Sequence, residues 1–294
     1  MPSPALTLDA LNALPAQQFV AALGEVFEHS PWVAEAVVAG RPYATVTALH
    51  DAMIGAVRGA ADDRRMAFIG GHPELGSRAA RADLTADSQS EQGSLGLSSL
   101  SAEEFATFSR LNQAYREKFR IPFIICVRRH TRDSILRNFA RRLGNDEATE
   151  QAQALAEIGL ITRLRLNALV DGPGKPATEG WLSTHVLDVT TGRPAPGVRV
   201  TLHEIGGSAR GLIAETVTNA DGRTDKPLIS GEPLRIGTYE LTFHVGTYFR
   251  TTSGGPDVPF LDAVPLRFGI SEPESHYHVP LLVTPWSYTT YRGS

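Results

Sequence analysis

Several basic side chains in the second half of the chain have the types and spacing for acid–base chemistry. His276 and His278 are two residues apart in a strand-like run, so both project from the same face of a sheet. Arg223 follows an Asp-Gly turn, and His185 is predicted to lie mid-strand in residues 181–189. Imidazole can accept a proton near pH 7, whereas guanidinium stays charged. Such groups can activate a water molecule and stabilise an oxyanion, as hydrolysis requires.

Two other interpretations of these residues stay open at this point. A His-x-His pair on a strand is commonly a partly exposed pair without a function. His276 and His278 also have the spacing of half a zinc site, because imidazole is the commonest metal ligand. The run NADG at residues 219–222 indicates, by itself, no more than a turn.

In the first half, one charged residue interrupts an apolar helical stripe. Ile158, Ile161, Arg165 and Leu169 fall on one face at helical spacing. A buried, unpaired cation is very costly, so we expect Arg165 to have an anionic partner. That partner is a substrate carboxylate, or a protein carboxylate such as that of Glu157, unless the guanidinium extends to solvent.

His72 is the second candidate in this half. Pro73 favours an extended conformation for His72, so the imidazole would project from a loop rather than from within a helix. Glu91 supplies a carboxylate that would fix the tautomer or charge of His72 if the fold brings them together. Cys126 lies in the apolar run 123–127, and its thiol is expected to pack rather than to act as a nucleophile.

Composition excludes several classes of protein. The 294 residues suggest two domains, and the net charge of −4 offers no broad basic surface for nucleic acid. A single cysteine rules out an internal disulfide and fits a reducing compartment. We see no secretory signal and no apolar run long enough to cross a membrane, so a cytoplasmic location is expected.

The pattern of apolar residues changes near residue 171. Before it, helical spacing dominates, as in Phe19, Leu23, Val26 and Phe27. After it the period is two, with turn residues between short runs. We therefore predict a multidomain protein: an all-α domain over 1–170, a linker over 171–178, and an all-β antiparallel sandwich over 179–294.

Two helices of the first domain have particularly clear sequence signals. Ser101 and Glu104 have the spacing of a capping box, in which each side chain satisfies a main-chain amide of the other. Residues 155–169 predict a further, last helix. The buried face of the helix that follows the capping box is predicted to contain Phe105, Phe108, Leu111, Tyr115 and Phe119.

Four motifs of the second half resemble those of the transthyretin-like 5-hydroxyisourate hydrolases. They are THVLD at 184–188, NADGR at 219–223, HYHVPLLV at 276–283 and YRGS at 291–294. The resemblance implies a sandwich fold and hydrolysis of 5-hydroxyisourate without metal or cofactor. It implies catalytic roles for His185, Arg223, His278 and Ser294, and substrate binding by Tyr291, Arg292 and Gly293. Hormone-carrying transthyretin lacks YRGS in this family, so the motif favours an enzyme, and additions after Ser294 are expected to harm activity.

Motifs of the first half resemble those of the 2-oxo-4-hydroxy-4-carboxy-5-ureidoimidazoline (OHCU) decarboxylases. They are FIGGHPELG at 68–76, SQSEQ at 88–92, FRIPFII at 119–125 and LRL at 164–166. The resemblance implies a helical domain that decarboxylates OHCU without a cofactor, with His72, Glu91 and Arg165 as catalytic residues. The implied substrate-binding residues are Pro73, Ser88, Gln89, Ser90, Gln92, Phe123, Ile124, Ile125, Cys126 and Val127.

The two implied reactions are consecutive steps of urate degradation, ending in (S)-allantoin. The expected partners are therefore small-molecule substrates, with no nucleic acid and no membrane. A homo-oligomer formed through the transthyretin-like domain is also expected, with possible dimerisation through the helical domain. The alternative function is a carrier: a transthyretin-like binding module fused to a helical interaction domain, without catalysis.

Overall fold

The computed structural model describes residues 6–75, 91, 93, 101–206, 209–254 and 256–293. The chain divides into two compact units. The first comprises Met1–Arg128 and Ile135–Ala177, and the second Arg129–Ser134 and Thr178–Ser294. Within the part of the chain that is described, no helix has the length and apolar character needed to cross a bilayer.

Helices build the first half, as the spacing of its apolar residues predicts. They are α1 (Leu8–Ala13), α2 (Ala16–Leu23), α3 (Trp32–Val37), α4 (Val46–Arg58), α5 (Asp62–Gly70), α6 (Ala102–Phe119), α7 (Arg132–Arg142) and α8 (Glu147–Leu169), with 3-10 turns at Val38–Gly40 and Val127–Arg129. The prediction of helix alone omitted one feature: β1 (Leu6–Thr7) pairs in parallel with β2 (Val170–Asp171).

Local side-chain chemistry sets where several helices begin. The capping box is confirmed, because the Ser101 hydroxyl accepts from the Glu104 amide and the Glu104 carboxylate accepts from the Ser101 amide. Helix α8 begins earlier than predicted, at Glu147, where the Asp146 side chain accepts from the Thr149 amide.

The core of the first half is a continuous apolar cluster. On α6, Phe108, Tyr115 and Phe119 are buried as predicted, whereas Phe105 and Leu111 are only partly buried. The stripe on α8 is buried at Ile158 and Arg165, but its last member is 37 % exposed because Leu169 ends the helix. The buried face of α8 therefore stops at the turn that contains Arg165.

Strands dominate the second unit. They are β3 (Gly180–Ser183), β4 (Val186–Asp188), β5 (Arg193–Pro194), β6 (Arg199–Gly206), β7 (Ala209–Val217), β8 (Ile229–Glu232), β9 (Gly237–His244), β10 (Ala263–Ile270), β11 (His276–His278), β12 (Leu281–Val283) and β13 (Tyr288–Thr290). One helix, α9 (Val245–Ser253), follows β9.

These strands form three sheets, ordered β10-β9-β6-β7, β11-β3-β8 and β13-β12-β4-β5. Most neighbouring pairs are antiparallel, but β11 pairs with β3 and β12 pairs with β4 in parallel. The alternating pattern is confirmed on β9, where Tyr239, Leu241 and Phe243 enter the core. Side chains from all three sheets share one apolar cluster, as in a sandwich.

Candidate active sites

The first unit contains a pocket that holds much of the predicted decarboxylase site. It encloses about 510 Å³ of empty space, part of it open to solvent. The lining residues come from the turn after α2, the turn after α5, the position of Glu91 between α5 and α6, residues 123–127, and α8. They are Glu28, His72, Pro73, Leu75, Glu91, Phe123, Ile124, Ile125, Val127, Ile161, Thr162 and Arg165.

Arg165 lies between two carboxylates in this pocket. Its Nε and Nη2 atoms donate to the two oxygens of Glu91, at 3.2 and 2.9 Å. Its Nη1 atom donates to Glu28 at 2.8 Å. Burial opposes the charge of Arg165, but the hydrogen bonds to Glu91 and Glu28 outweigh it and raise the pKa of the guanidinium. Arg165 therefore stays cationic.

Of the alternatives for Arg165, the structure shows protein carboxylates beside it, but Glu157 is not one of them. Glu157 precedes Arg165 on α8, and its carboxylate accepts from the Cys126 amide at 2.9 Å and from the Gln153 side chain at 3.0 Å. Arg165 is instead paired with Glu91 and with Glu28, and no sequence motif pointed to a role for Glu28. The Glu28 side chain is only 2 % exposed.

The His72 ring is held by Phe68, one turn earlier at the end of α5. Its Nδ1 atom lies 3.0 Å from the Phe68 carbonyl oxygen, and the two rings meet edge to face with centroids 5.0 Å apart. Burial lowers the pKa of His72 to about 4, although the Phe68 carbonyl and Glu28 act in the opposite direction. His72 is therefore neutral at pH 7.

The wall formed by residues 123–127 has no regular secondary structure up to residue 126, and charged side chains bind its main chain. Arg142 donates from Nη1 to the Ile124 carbonyl at 2.7 Å, and the Cys126 amide donates to Glu157. Arg142 and Glu150 are both fully buried, with Arg142 Nε 2.8 Å from Glu150 Oε1. Helices α7 and α8 thus fix the wall that faces Arg165.

Predicted site residues of this unit fall into three groups. Pro73, Phe123, Ile124, Ile125 and Val127 line the pocket together with the predicted catalytic residues. The side chain of Cys126 is buried and is not part of the lining. Ser88, Gln89, Ser90 and Gln92 lie outside the described residues.

In the second unit, main-chain bridges bring the predicted residues together. His185 forms an antiparallel bridge with Arg223, and His278 forms one with Gly293. The Gly293 amide donates to the His278 carbonyl at 2.8 Å. Ser183 and His276, which are 93 residues apart on the chain, are also hydrogen-bonded, across the neighbouring strands β3 and β11.

The prediction that His185 lies mid-strand was wrong. His185 lies between the end of β3 at Ser183 and the start of β4 at Val186. The neighbouring chain is interrupted at the same level, between the end of β11 at His278 and the start of β12 at Leu281. The ladder resumes where the Leu281 amide donates to the His185 carbonyl at 2.8 Å.

The turn that carries Arg223 is closed by its own first residue, as its sequence suggested. The Asn219 amide donates to the Arg223 carbonyl at 2.7 Å, and the Asn219 side chain accepts from the Arg223 amide at 3.1 Å. Gly222 has φ +72° in this turn. A Cβ there would lie 2.3 Å from the Val186 carbonyl oxygen, so the turn can approach β4 only with glycine at this position.

Electrostatics keep the two imidazoles of this site neutral. Burial lowers the pKa of His185, with Arg223 adding to the effect and the Asp221 backbone opposing it. Burial also lowers the pKa of His278, followed by the charges of Arg223, His276 and His185. The buried His185 Nε2 atom has no hydrogen-bond partner among the described residues. The site thus combines two neutral imidazoles with one permanent cation.

The chain after β13 lies beside this cluster. Gly293 approaches His278 so closely that a Cβ on it would be 2.8 Å from the imidazole Cδ2 atom. Arg292 donates to Glu272 at 2.7 Å and lies over the Tyr277 ring, while Tyr291 is 56 % exposed. Ser294 lies outside the described residues. Within the described part of the chain, no three His, Cys, Asp or Glu side chains converge as a metal site would require.

Comparisons with known proteins match each half separately. Residues 12–167, more than half of the chain, match the model of the OHCU decarboxylase family. Residues 182–293 match that of the HIUase/Transthyretin family. The 5-hydroxyisourate hydrolase of Deinococcus radiodurans is 58 % identical over 113 residues, which are 38 % of this chain and 95 % of that protein.

Similarity extends to a decarboxylase and to a crystal structure that matches nearly the whole chain. The 2-oxo-4-hydroxy-4-carboxy-5-ureidoimidazoline decarboxylase of Haloferax volcanii is 42 % identical over 161 residues, 55 % of this chain and 94 % of that protein. The crystal structure of an (S)-allantoin synthase is 36 % identical, covers 98 % of this chain and 100 % of that one, and superposes with a TM-score of 0.53. The chain therefore belongs to the OHCU decarboxylase family in its first half and to the HIUase/Transthyretin family in its second half.

Proposed function

We propose that the chain is a bifunctional enzyme of urate degradation. Its second unit hydrolyses 5-hydroxyisourate to OHCU, and its first unit decarboxylates OHCU to (S)-allantoin. The observation that carries this proposal is that each family domain contains its own polar cluster. Arg165, Glu28, Glu91 and His72 share one pocket, while His185, Arg223 and His278 meet at the bridged strands.

For the hydrolytic step, neutral imidazoles are suited to taking a proton from the attacking water. His185 and His278 are the candidates, since burial and Arg223 lower the pKa of both. Arg223 would stabilise the negative charge that develops on the amide oxygen. Tyr291, Arg292, Gly293 and Ser294 are proposed to complete the substrate site.

For the decarboxylation, Arg165 is proposed to orient the anionic groups of the substrate. Its contacts with Glu28 and Glu91 fix the plane of the guanidinium before the substrate binds. Loss of carbon dioxide leaves an electron pair delocalised in the substrate ring. His72 and Glu91 would handle the proton, and protonation on one face gives a single stereoisomer.

Residues 123–127 are proposed to hold the ring and exclude water. Four of these five residues line the pocket, and all five are buried. We also propose substrate binding by four residues of the family motif at 88–92: Ser88, Gln89, Ser90 and Gln92. No metal or cofactor is needed if the imine-containing ring accepts the electron pair itself.

We further propose a homo-oligomer formed through the transthyretin-like domain, and dimerisation of the helical domain is a second possible contact. Strand β10 lies at the edge of its sheet and offers main-chain groups to a second copy. A cytoplasmic location is proposed because the chain has a single cysteine and needs no disulfide.

The deciding experiment uses urate and uricase to generate 5-hydroxyisourate in the presence of the protein. We expect accelerated loss of its absorbance and rapid appearance of optically active allantoin. His278→Gln should slow the first step and His72→Gln only the second. Slow, racemic allantoin with the wild-type chain would contradict the proposal and leave the carrier function instead.

A further inference from the structure

The Ser183 hydroxyl lies between the two imidazoles of strand β11. Its Oγ atom is 2.8 Å from His276 Nε2 and 2.9 Å from His278 Nδ1. The parallel pairing of β11 with β3 sets this geometry, because it places His276 opposite Trp181 and His278 opposite Ser183. Since alternate residues share a face, both imidazoles and the hydroxyl lie on the same side of the sheet.

The Ser183 hydroxyl constrains where protons can lie in the row formed by His276, Ser183 and His278. It has one hydrogen to donate, so it can donate to only one imidazole and must accept an N–H from the other. If His278 donates from Nδ1, its Nε2 atom holds a lone pair in the neutral ring, and Ser183 donates to His276. If His276 donates instead, Ser183 donates to His278 Nδ1, and the neutral His278 then carries its proton on Nε2.

We infer that Ser183 and His276 are positioning residues that relay a proton to and from His278 during hydrolysis. This inference rests on the proposed hydrolase function of the second unit. When the attacking water transfers a proton to His278 Nε2, the Nδ1 proton of His278 moves to Ser183 Oγ. The Ser183 proton moves in turn to His276 Nε2. The water loses one bond to hydrogen and His276 gains one, while His278 and Ser183 each gain one and lose one. No atom is oxidised or reduced, and one positive charge reaches His276.

The surroundings of the two imidazoles favour this direction of transfer. Arg223 and His185 act on His278, so a positive charge that stayed on this ring would face a permanent cation. His276 instead stacks on the indole of Trp181, with ring centroids 4.9 Å apart and an interplanar angle of 27°. An aromatic face attracts a cation, and Trp181 is 44 % exposed, so His276 can exchange its proton near solvent.

The relay reverses in the second half of the reaction. After ring opening, the leaving nitrogen needs a proton, and His278 Nε2 can donate it. His276 then returns its Nε2 proton to Ser183, and Ser183 returns its own to His278 Nδ1. The row therefore ends in its starting arrangement, with His278 again able to accept a proton.

The test compares Ser183→Ala with Ser183→Thr, which keeps a hydroxyl on the same strand. Fresh 5-hydroxyisourate is generated from urate by uricase, and its loss is followed by stopped-flow absorbance in mixtures of H₂O and D₂O. We expect Ser183→Ala and His276→Gln to lower kcat roughly ten-fold or more and to leave KM within about two-fold. Ser183→Thr should retain most of the activity.

The isotope experiment distinguishes a relay from a structural hydrogen bond. A plot of kcat against deuterium fraction should curve for the wild type and for Ser183→Thr, because several protons move together. It should become linear for Ser183→Ala and His276→Gln. Decarboxylation by the same variants, measured with OHCU supplied directly, should be unchanged and reports on folding.

Three outcomes would overturn the relay. If the wild type is active, His278→Gln is inactive, and both Ser183→Ala and His276→Gln keep the wild-type kcat and curvature, the relay alone is wrong. If the wild type does not accelerate hydrolysis, the proposed function fails and the relay fails with it. A fall in kcat with curvature retained would also show that Ser183 acts only by holding the imidazoles in place.

Discussion

The Nδ1 atom of His72 lies 3.0 Å from the carbonyl oxygen of Phe68, one turn earlier at the end of α5. A carbonyl oxygen can only accept, so in the neutral ring the proton is on Nδ1 and the lone pair is on Nε2. The helix end thus determines which nitrogen of the neutral His72 ring is able to accept a proton. Glu91, which we expected to fix this tautomer, instead takes two hydrogen bonds from Arg165.

The tautomer of His72 gives the first prediction. In a two-bond ¹H–¹⁵N NMR spectrum of labelled protein, His72 should show the neutral Nδ1–H form at pH 7. Because burial lowers its pKa to about 4, the ring should remain neutral as the pH falls through 6 and protonate only near pH 4. His72→Gln assigns the signals. An Nε2–H form, or titration near pH 6.5, would contradict this assignment.

Glu28 gives the second prediction. Glu28→Gln keeps the shape of the side chain but removes the charge beside Arg165 Nη1. A hydrogen bond between charged groups contributes about 1.5–3 kcal/mol, so decarboxylation should fall by roughly ten-fold or more. Hydrolysis of 5-hydroxyisourate by the same chain should not change. Glu25→Gln is the control, because Glu25 is exposed in the same turn. Equal decarboxylation rates in the two variants would show that Glu28 does not contribute to the site.

Local sequence signals predicted much of the fold and less of the sites. The capping box at Ser101 depends on residues three positions apart, and it is present as predicted. The contact between Glu28 and Arg165 joins residues 137 apart, and no periodicity reports such a distance. The only sequence signal for Glu28 was an acidic residue directly after the apolar stripe that ends at Phe27.

The sites were also less predictable where main-chain groups take part. The Phe68 carbonyl and the Ile124 carbonyl bind His72 and Arg142, but any residue type supplies a carbonyl. The break at His185 lies opposite a break between β11 and β12 on the neighbouring stretch of chain, so the run 181–189 gave no sign of it. Family motifs identified the residues that meet, whereas the groups that orient them became visible only in three dimensions.

The buried pair of Arg142 and Glu150 gives the third prediction. Arg142→Met leaves the Glu150 carboxylate buried with its main cationic partner removed, and this should lower the free energy of unfolding by about 3–5 kcal/mol. Arg142→Met combined with Glu150→Leu should recover much of that loss. Denaturant unfolding followed by the helical circular dichroism signal measures both. Arg141→Met, at an exposed neighbouring position, is the control and should change stability little.

That pair also holds the pocket wall, so its loss should affect catalysis. Arg142 Nη1 is bonded to the Ile124 carbonyl, which loses this partner in both variants. The double variant should therefore remain impaired in decarboxylation even where its stability is restored. Full activity in the double variant would show that the wall keeps its position without Arg142.

Arg223 gives the fourth prediction. A permanent cation disfavours a second positive charge nearby, so Arg223→Gln should raise the pKa of both His185 and His278 toward the ordinary value. Histidine NMR titrations of the wild type and variant measure the shift directly. Arg250→Gln, on an exposed position of α9, should leave both values unchanged. A fall in either pKa would contradict the electrostatic account.

Gly222 gives the fifth prediction, with Gly192 as its matched control. Both have positive φ, +72° and +68°, so alanine is strained at either position. A Cβ at Gly222 would also lie 2.3 Å from the Val186 carbonyl oxygen, whereas one at Gly192 meets nothing within 4 Å. Gly222→Ala should therefore destabilise the chain more than Gly192→Ala and should slow hydrolysis by displacing Arg223. Equal losses in the two variants would show that backbone strain alone matters.

The parallel pairing of β1 with β2 brings the first described residues of the helical unit beside its last helix. Leu6 is opposite Val170, and Thr7 is opposite Asp171. Neither strand can separate from the other without breaking main-chain hydrogen bonds, so the carboxyl end of α8, one turn after Arg165, is anchored by the residues just before α1.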